Sequence, residues 1–278
     1  MKTLLSIGHG YSARALARLL LPQGWRILAT TRSAVKAEML RSEGVEAMVW
    51  TGGELPLAEA THLLTSVAPD GTGDPVLAAQ RNALCAAQHL EWVGYLSTVG
   101  VYGDHGGGWV DEETALTPTT TRGVQRVAAE AGWQALGLPL QIFRLAGIYG
   151  PGRGPFEKVR DGTARLILKP GQVFSRIHVE DIAQVLAASI AAPNPGRIYN
   201  VCDDAPSPPE DVLAYAAELL GLPRPPEQPF DPASMSPMAA SFYAENKRVR
   251  NDRIKTELGV KLRYPDYRAG LEAMLQAG

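Results

Sequence analysis

The sequence predicts an α/β fold, a doubly wound parallel sheet with a small carboxy-terminal substrate lobe. Three observations carry this. Over the first 150 residues, short β-branched and apolar runs alternate with longer helical patterns, the order that right-handed βαβ units produce. A glycine-bearing turn, Gly8-His9-Gly10, joins the first run to the first helix. After Gly150 the pattern breaks, and the segment from Pro193 to Pro237 holds 11 of the chain's 21 prolines. That density excludes central strand and interrupts helices.

The strands read Thr3 to Ile7, Arg26 to Thr30, Val45 to Val49, His62 to Ser66, Val93 to Ser97 and Leu140 to Leu145. Between them, Ala13 to Leu21 is rich in Ala, Leu and Arg. Asp74-Pro75 starts a helix running to about Gln88, an N-cap acceptor followed by a proline whose missing N–H costs nothing there. Gly123 to Leu136 is the next helix. Later strands are Val173 to Ile177 and Ile198 to Val201, with a crossover helix at Val179 to Ala192. Val212 to Leu220 is helical and closed by Gly221 and Pro223. Gly221 to Pro237 reads as an extended loop. Residues 1–150 and 172–202 are therefore expected to form the dinucleotide-type domain, and 151–171 with 203–278 a smaller substrate-binding lobe.

The 278 residues suffice for one large or two small domains without a metal or disulfide staple. A net charge of -2 argues against nucleic acid as a partner. No run approaches 18 apolar residues, so no membrane partner is expected. The start of the chain shows no signal-peptide pattern. Cys85 and Cys202 form no CxxC pair, which fits a reducing cytoplasm and excludes a cysteine zinc site, so no metal is expected.

Gly8-His9-Gly10-Tyr11-Ser12-Ala13 follows a strand and opens a helix, the context that gives a GxGxxG-like pattern its meaning. Gly8 permits the tight turn, Gly10 lets backbone N–H groups approach a pyrophosphate, and Ala13 lets the helix pack closely. The helix amino terminus adds partial positive charge. At the end of the second strand, where NAD-selective folds place a carboxylate for the ribose 2′-hydroxyl, the chain reads Thr31-Arg32-Ser33, with no acidic residue before Glu38. Hydroxyl donors and a guanidinium suit a 2′-phosphate. NADP is therefore favoured over NAD. Ser66-Val67-Ala68, after the fourth strand, is a third candidate cofactor segment, since loops at strand carboxyl ends form the ligand crevice.

Further segments resemble a known family. Leu96-Ser97-Thr98-Val99-Gly100-Val101-Tyr102-Gly103 is similar to the catalytic Ser/Thr segment of extended short-chain dehydrogenases/reductases, the NAD(P)-dependent epimerase/dehydratase branch. Arg144 to Gly152 resembles that family's R-x-x-x-I-Y-G-P-G segment, Ile177 to Ala183 its I-H-V-D-D-x-A segment, and Tyr199-Asn200-Val201 its Y-N-V strand. The resemblance covers nearly the whole chain in order. It implies a Rossmann-like sheet, a bound dinucleotide, a small carbonyl or sugar-nucleotide-like substrate, and often a homodimer.

The family's catalytic Tyr-x-x-x-Lys pair is replaced. Aligning Gly123 and Glu130 with Y-G-x-x-K-x-x-x-E puts Arg122 at the Tyr place and Arg126 at the Lys place. Arg126 can donate to a ribose. Arg122 cannot act as acid or base, because guanidinium stays protonated, but it can bind an anion. Thr98, at the Ser/Thr place, can still polarise a carbonyl. The departure resembles atypical members with an epimerase-like label. Two function classes follow: an NADP-binding oxidoreductase or epimerase-like enzyme, and an NADP-binding regulatory or sensor protein without turnover.

Other residues carry weaker expectations. Tyr102 and Tyr149 are read as packing, with Asp104 beside them as remaining sources of an acid or base. His178 is expected to be structural, Asp181 an early-helix charge, and Asp74 a cap. Gly103 to Gly108 reads as a lid or a surface loop. Arg144 and Arg153 face either an anionic substrate or solvent.

Overall fold

The computed structural model describes residues 1–277. The first half runs β1 (Thr3–Ile7), α1 (Tyr11–Leu20), β2 (Arg26–Thr31), α2 (Ala34–Ser42), β3 (Glu46–Val49), β4 (His62–Thr65), α3 (Pro75–Ala86), β5 (Trp92–Thr98), β6 (Trp109–Val110), α4 (Thr121–Gln134) and β7 (Leu140–Leu145). The second half runs β8 (Gly147–Tyr149), α5 (Phe156–Arg160), β9 (Leu166–Leu168), β10 (Arg176–His178), α6 (Val179–Ala191), β11 (Ile198–Val201), α7 (Pro209–Leu219), β12 (Glu227–Pro229), α8 (Pro237–Tyr243), β13 (Arg248–Val249), α9 (Asp252–Thr256) and α10 (Tyr267–Ala277).

Seven strands lie parallel in the order β11-β7-β5-β4-β1-β2-β3. The Rossmann-like doubly wound sheet is thus present. Burial on both faces explains the unbroken apolar strands. In β1, Leu4 enters the core under α1 and α6, while Leu5 and Ile7 enter the one under α3 and α4. In β5, Trp92 and Leu96 face the first core and Val93 and Tyr95 the second. Each fully buried aliphatic side chain contributes about 1.5–3 kcal/mol. A third core joins α5, α7 and α10 through Phe156, Val212, Ala216, Tyr267 and Leu271.

Strand order reverses between β1 and β4, so their carboxyl ends diverge into a crevice. Gly8 and Ser66 stand at those two ends. Asp74 is the expected cap of α3: Oδ1 accepts from Val76 N at 2.8 Å and Leu77 N at 3.1 Å. Its Oδ2 accepts from Trp133 Nε1 at 2.9 Å, tying α3 to α4.

Three local expectations are corrected. The first helix starts at Tyr11 rather than Ala13, because Gly10 is its N-cap. The strand expected at Val173 to Ile177 lies at Arg176–His178 and pairs with β8 outside the large sheet. The backbone donors of Val173 and Phe174 go instead to Asn246 Oδ1 and Ser207 O, so no ladder forms there. The loop expected at Gly221 to Pro237 contains β12, which pairs with β9.

Candidate active site

Gly8 has φ +74°, and a Cβ there would stand 2.8 Å from Val67 Cγ2. Its N–H donates to Thr30 Oγ1 at 2.9 Å, and Ser66 Oγ donates to its carbonyl. The turn is thereby locked against both neighbouring strands. Gly10 caps α1 with no side-chain hydrogen bond, and a Cβ there would meet only Gly8 O at 3.6 Å. The leading N–H groups of α1 are thus open to an anion. The His9 side chain turns away. It is buried, its Nδ1 lies 2.8 Å from Ser6 Oγ, and burial pulls its pKa down to about 4.

At the end of β2, Thr31 Oγ1 accepts from Ser33 N at 3.3 Å, and Ser33 Oγ caps α2 by accepting from Lys36 N at 3.3 Å. Arg32 is exposed and has no ion pair among the described residues.

A cleft of about 800 Å³ runs from the glycine turn to α8 and the segment that follows it. Gly8, Gly10, Tyr11, Ser12, Ser66, Thr98, Arg122 and Arg126 all line it. His9, Thr31, Arg32, Ser33, Val67 and Ala68 do not. Thr98 Oγ1 accepts from Gly100 N at 3.1 Å, which holds the hydroxyl at the end of β5. On α4, Arg126 Nη1 donates to Tyr95 OH and to Leu96 O, both at 3.0 Å. Arg122 lies over the Phe242 ring at 5.3 Å and donates to Ser241 Oγ at 3.2 Å.

Beneath these groups runs a buried polar chain. Ser97 Oγ donates to Glu130, which receives Arg144 from β7. Arg144 Nη1 donates to Tyr102 OH at 3.0 Å, and Tyr102 OH donates to Asn200 Oδ1 at 2.7 Å. Arg144 therefore meets neither substrate nor solvent. Burial pushes the Tyr102 phenol up to about 12, so it stays neutral.

His178 caps α6, its Nδ1 accepting from Glu180 N at 3.3 Å with Tyr149 and Tyr264 packed on the ring, while its Nε2 is buried with no hydrogen-bond partner among the described residues. Asp181 is not a plain early-helix charge. It is buried and accepts from Arg263 N at 2.8 Å and Tyr264 N at 3.0 Å, pinning the chain's last segment to α6. The loop from Gly103 to Gly108 is no free lid. Asn246 O accepts from His105 N at 3.0 Å and Gly107 N at 2.9 Å, while Asp104 Oδ1 accepts from Asn246 N at 2.7 Å.

Among the cleft-lining residues to which the sequence reading gave no role are Arg176, Tyr243, Glu245 and Lys247. Lys247 Nζ donates to Gly103 O at 2.6 Å and to Glu245 Oε2 at 2.7 Å. Glu245 Oε1 accepts from Thr119 Oγ1 at 2.9 Å, just before α4. This lysine thus braces the end of the Thr98 turn against the entry of α4. The spacing Tyr243-x-x-x-Lys247 was the available signal. Of the cleft tyrosines, Tyr11 donates to Pro151 O at 2.9 Å and Tyr149 to Asp266 O at 3.2 Å. The Tyr243 hydroxyl has no hydrogen-bond partner among the described residues. Among those residues, no group of side chains could hold a metal ion, and no helix is long and apolar enough to cross a membrane.

Comparison with known proteins agrees with this geometry. The chain is 63% identical to a conserved protein of unknown function from Silicibacter pomeroyi, with TM-score 0.97 over 100% of this chain and 99% of that one. It is 30% identical over 286 residues to Protein YeeZ of Escherichia coli strain K12, covering 96% and 97% of the two chains. It shares the fold of dTDP-glucose 4,6-dehydratase from Bacillus anthracis, solved in complex with NAD, at 16% identity and TM-score 0.80 over 99% and 96%. Residues 7–202 match the NAD dependent epimerase/dehydratase family, and with the glycine turn, the reversed strand order and the cleft at that reversal, the chain belongs to that family.

Proposed function

We propose that the protein is an NADP-dependent oxidoreductase or epimerase-like enzyme acting on a small carbonyl or sugar-nucleotide-like substrate. The observation that carries this reading is the meeting of Thr98, Arg122 and Arg126 in the cleft that opens from the glycine turn.

The glycine turn fits a dinucleotide. The open amino end of α1 suits the pyrophosphate, and the space at Gly10 is a cradle that a larger side chain would fill. Arg32, beside the Ser33 cap of α2, supports a 2′-phosphate. Arg126 is anchored through one nitrogen on Tyr95 and Leu96, which leaves its other N–H groups for the nicotinamide ribose. When bound, the nicotinamide accepts or donates a hydride. Thr98 orients the substrate oxygen, and Arg122 binds an anionic part of the substrate. Tyr243 is the phenol free to move a proton at that oxygen.

The regulatory reading draws support from one observation, the fixed cation Arg122 where an acid would stand. Two measurements separate the readings. Fluorescence titration gives NADPH and NADH affinities, and NADPH oxidation is followed against a panel of carbonyl compounds and sugar nucleotides. Binding with substrate-dependent oxidation or interconversion is the outcome expected of the enzyme. Tight binding with no turnover across the panel supports the sensor, and absence of binding removes both.

A further inference from the structure

Beyond the main cleft lies an annex of about 260 Å³ that shares Tyr149, Arg153 and Arg176 with it. The annex continues into the carboxy-terminal lobe against Val212, Tyr267 and Leu271. Among the described residues, no carboxylate lines it. Among the described residues, neither guanidinium has an ion-pair partner within salt-bridge distance, in contrast to the paired Arg144 and Arg263. Arg153 lies over the Tyr11 ring at 5.9 Å. Arg176 uses a single nitrogen, Nη1, for Phe174 O, Ser207 O and Ser207 Oγ at 2.8–3.1 Å. Its remaining N–H groups have no hydrogen-bond partner among the described residues. Asp203 is the acid beside it, and burial pushes that carboxyl up to about 8, so near neutral pH it leaves the arginine's charge uncompensated.

Two uncompensated guanidinia at the mouth of an apolar recess select a particular ligand chemistry. Arg176, half-buried in the wall, is a cation that stays costly until an anion meets it, and Arg153, exposed at the mouth, adds a second positive charge. The recess behind offers no hydrogen-bonding carboxylate and three apolar or aromatic walls. Its volume lies just below the roughly 300–1,000 Å³ of a whole small-molecule site, so it holds one moiety of a ligand whose remainder reaches the main cleft.

We propose that the annex is the substrate's recognition subsite, binding a carboxylate between Arg153 and Arg176 with an apolar or aromatic moiety packed against Val212, Tyr267 and Leu271. This deepens the functional reading above and rests on it for the identity of the ligand as substrate. The substrate class is then a carboxylic acid whose carboxylate lies between an apolar or aromatic group that enters the annex and a part bearing the reactive oxygen that reaches the main cleft.

The test uses trans-cinnamate and its neutral isostere cinnamyl alcohol, titrated calorimetrically into the full chain with and without NADPH. Cinnamate is expected to bind at least tenfold tighter than the alcohol. Arg153→Gln and Arg176→Gln should each weaken cinnamate at least tenfold and leave the alcohol unchanged. Val212→Trp should remove both probes while NADPH affinity stays as in the wild type. Arg153 is exposed, so its variant decides the matter even where Arg176→Gln does not fold. Equal affinity for the two probes, or cinnamate binding indifferent to Arg153→Gln, overturns the proposal. So does absence of cinnamate binding by a chain that binds NADPH. Failure of NADPH to bind instead overturns the functional reading, and the probe titration without cofactor still decides whether the annex takes a carboxylate.

Discussion

Glu130 on α4 and Arg144 on β7 form a two-pronged ion pair, with Nη2 2.8 Å from Oε2 and Nε 3.2 Å from Oε1, and both side chains are only 3% exposed. The pair fixes the helix that carries Arg122 and Arg126 against the strand beside Thr98. Removing one partner leaves a buried charge, which costs about 3–5 kcal/mol, whereas replacing both by apolar residues of similar size is often close to neutral. Glu130→Gln should therefore lower stability to denaturant by about that amount. The double variant Glu130→Leu/Arg144→Met should recover most of the loss. Loss in the single variant no larger than a surface substitution would show that the pair does not hold α4.

The two glycines of the cofactor turn should fail in different ways. Gly8 has φ +74° and no room for a Cβ beside Val67, so Gly8→Ala combines backbone strain with a clash. It should unfold at lower temperature and lose NADPH binding together. Gly10 has φ -98° and open space, so Gly10→Val should keep the circular dichroism and melting temperature of the wild type. Its binding should nevertheless vanish, because the side chain occupies the pyrophosphate place. Retained binding in Gly10→Val would mean that the loop is only a turn.

These contrasts show which parts of the molecule its sequence discloses. Strands buried on both faces spell themselves out as apolar runs, and Asp74-Pro75 announces a helix start through local hydrogen bonding alone. The far wall of the cleft has no such periodicity. Arg176 opens β10, and Lys247 immediately precedes β13, strands whose pairings with β8 and β6 are only three and two residues long. Lys247 sits in the polar run Glu245-Asn246-Lys247-Arg248, which looks solvated. Its burial depends on the carbonyl of Gly103, distant in the chain. Arg144 was legible in principle: a charge inside the apolar strand Leu140-Gln141-Ile142-Phe143-Arg144-Leu145 requires a buried partner, and Glu130 on the preceding helix is that partner.

Arg32 should set cofactor choice. It is exposed at the entry of α2, with no carboxylate holding it, so its charge is available to a 2′-phosphate. NADPH should bind at least tenfold tighter than NADH, about 1.4 kcal/mol. Arg32→Ala should bring the two affinities together by weakening NADPH alone. Equal affinities in the wild type, or an unchanged preference in the variant, would sink the idea.

Asp203 should make the protein less stable as pH rises toward 8. Its carboxyl, ordinarily at 3.8, is pushed up to about 8 by burial. Between those values the native protein holds a proton that the unfolded chain has released, so stability falls with rising pH and levels off above the upper value. The slope from this group is at most about 1.4 kcal/mol per pH unit. Asp203→Asn carries no such proton and can keep the bond from Ala205 N to its oxygen. Its melting temperature should gain on the wild type steadily from pH 5 to pH 8. A difference that does not change with pH would show that Asp203 is ionised in the folded protein.

The last prediction concerns the proton. Arg122 stands where an acid is expected, and guanidinium cannot give up its proton at any working pH. A positioned acid is typically worth about 10² to 10⁴ in rate, so carbonyl reduction that depends on α4 should be nearly silent. Turnover must then draw its proton from Tyr243, the cleft phenol without a hydrogen-bond partner among the described residues, whose pKa burial holds above the ordinary value so that it rests protonated. Tyr243→Phe should lower any NADPH oxidation at least about 100-fold, with NADPH affinity unchanged. The double variant Arg122→Tyr/Arg126→Lys, which restores the usual pair on α4, should gain carbonyl reduction that neither single variant shows, and that gain should persist when Tyr243→Phe is added. If wild-type turnover is already fast and survives both Tyr243→Phe and replacement of either arginine by alanine, the proton comes from elsewhere and the roles given to all three residues are wrong.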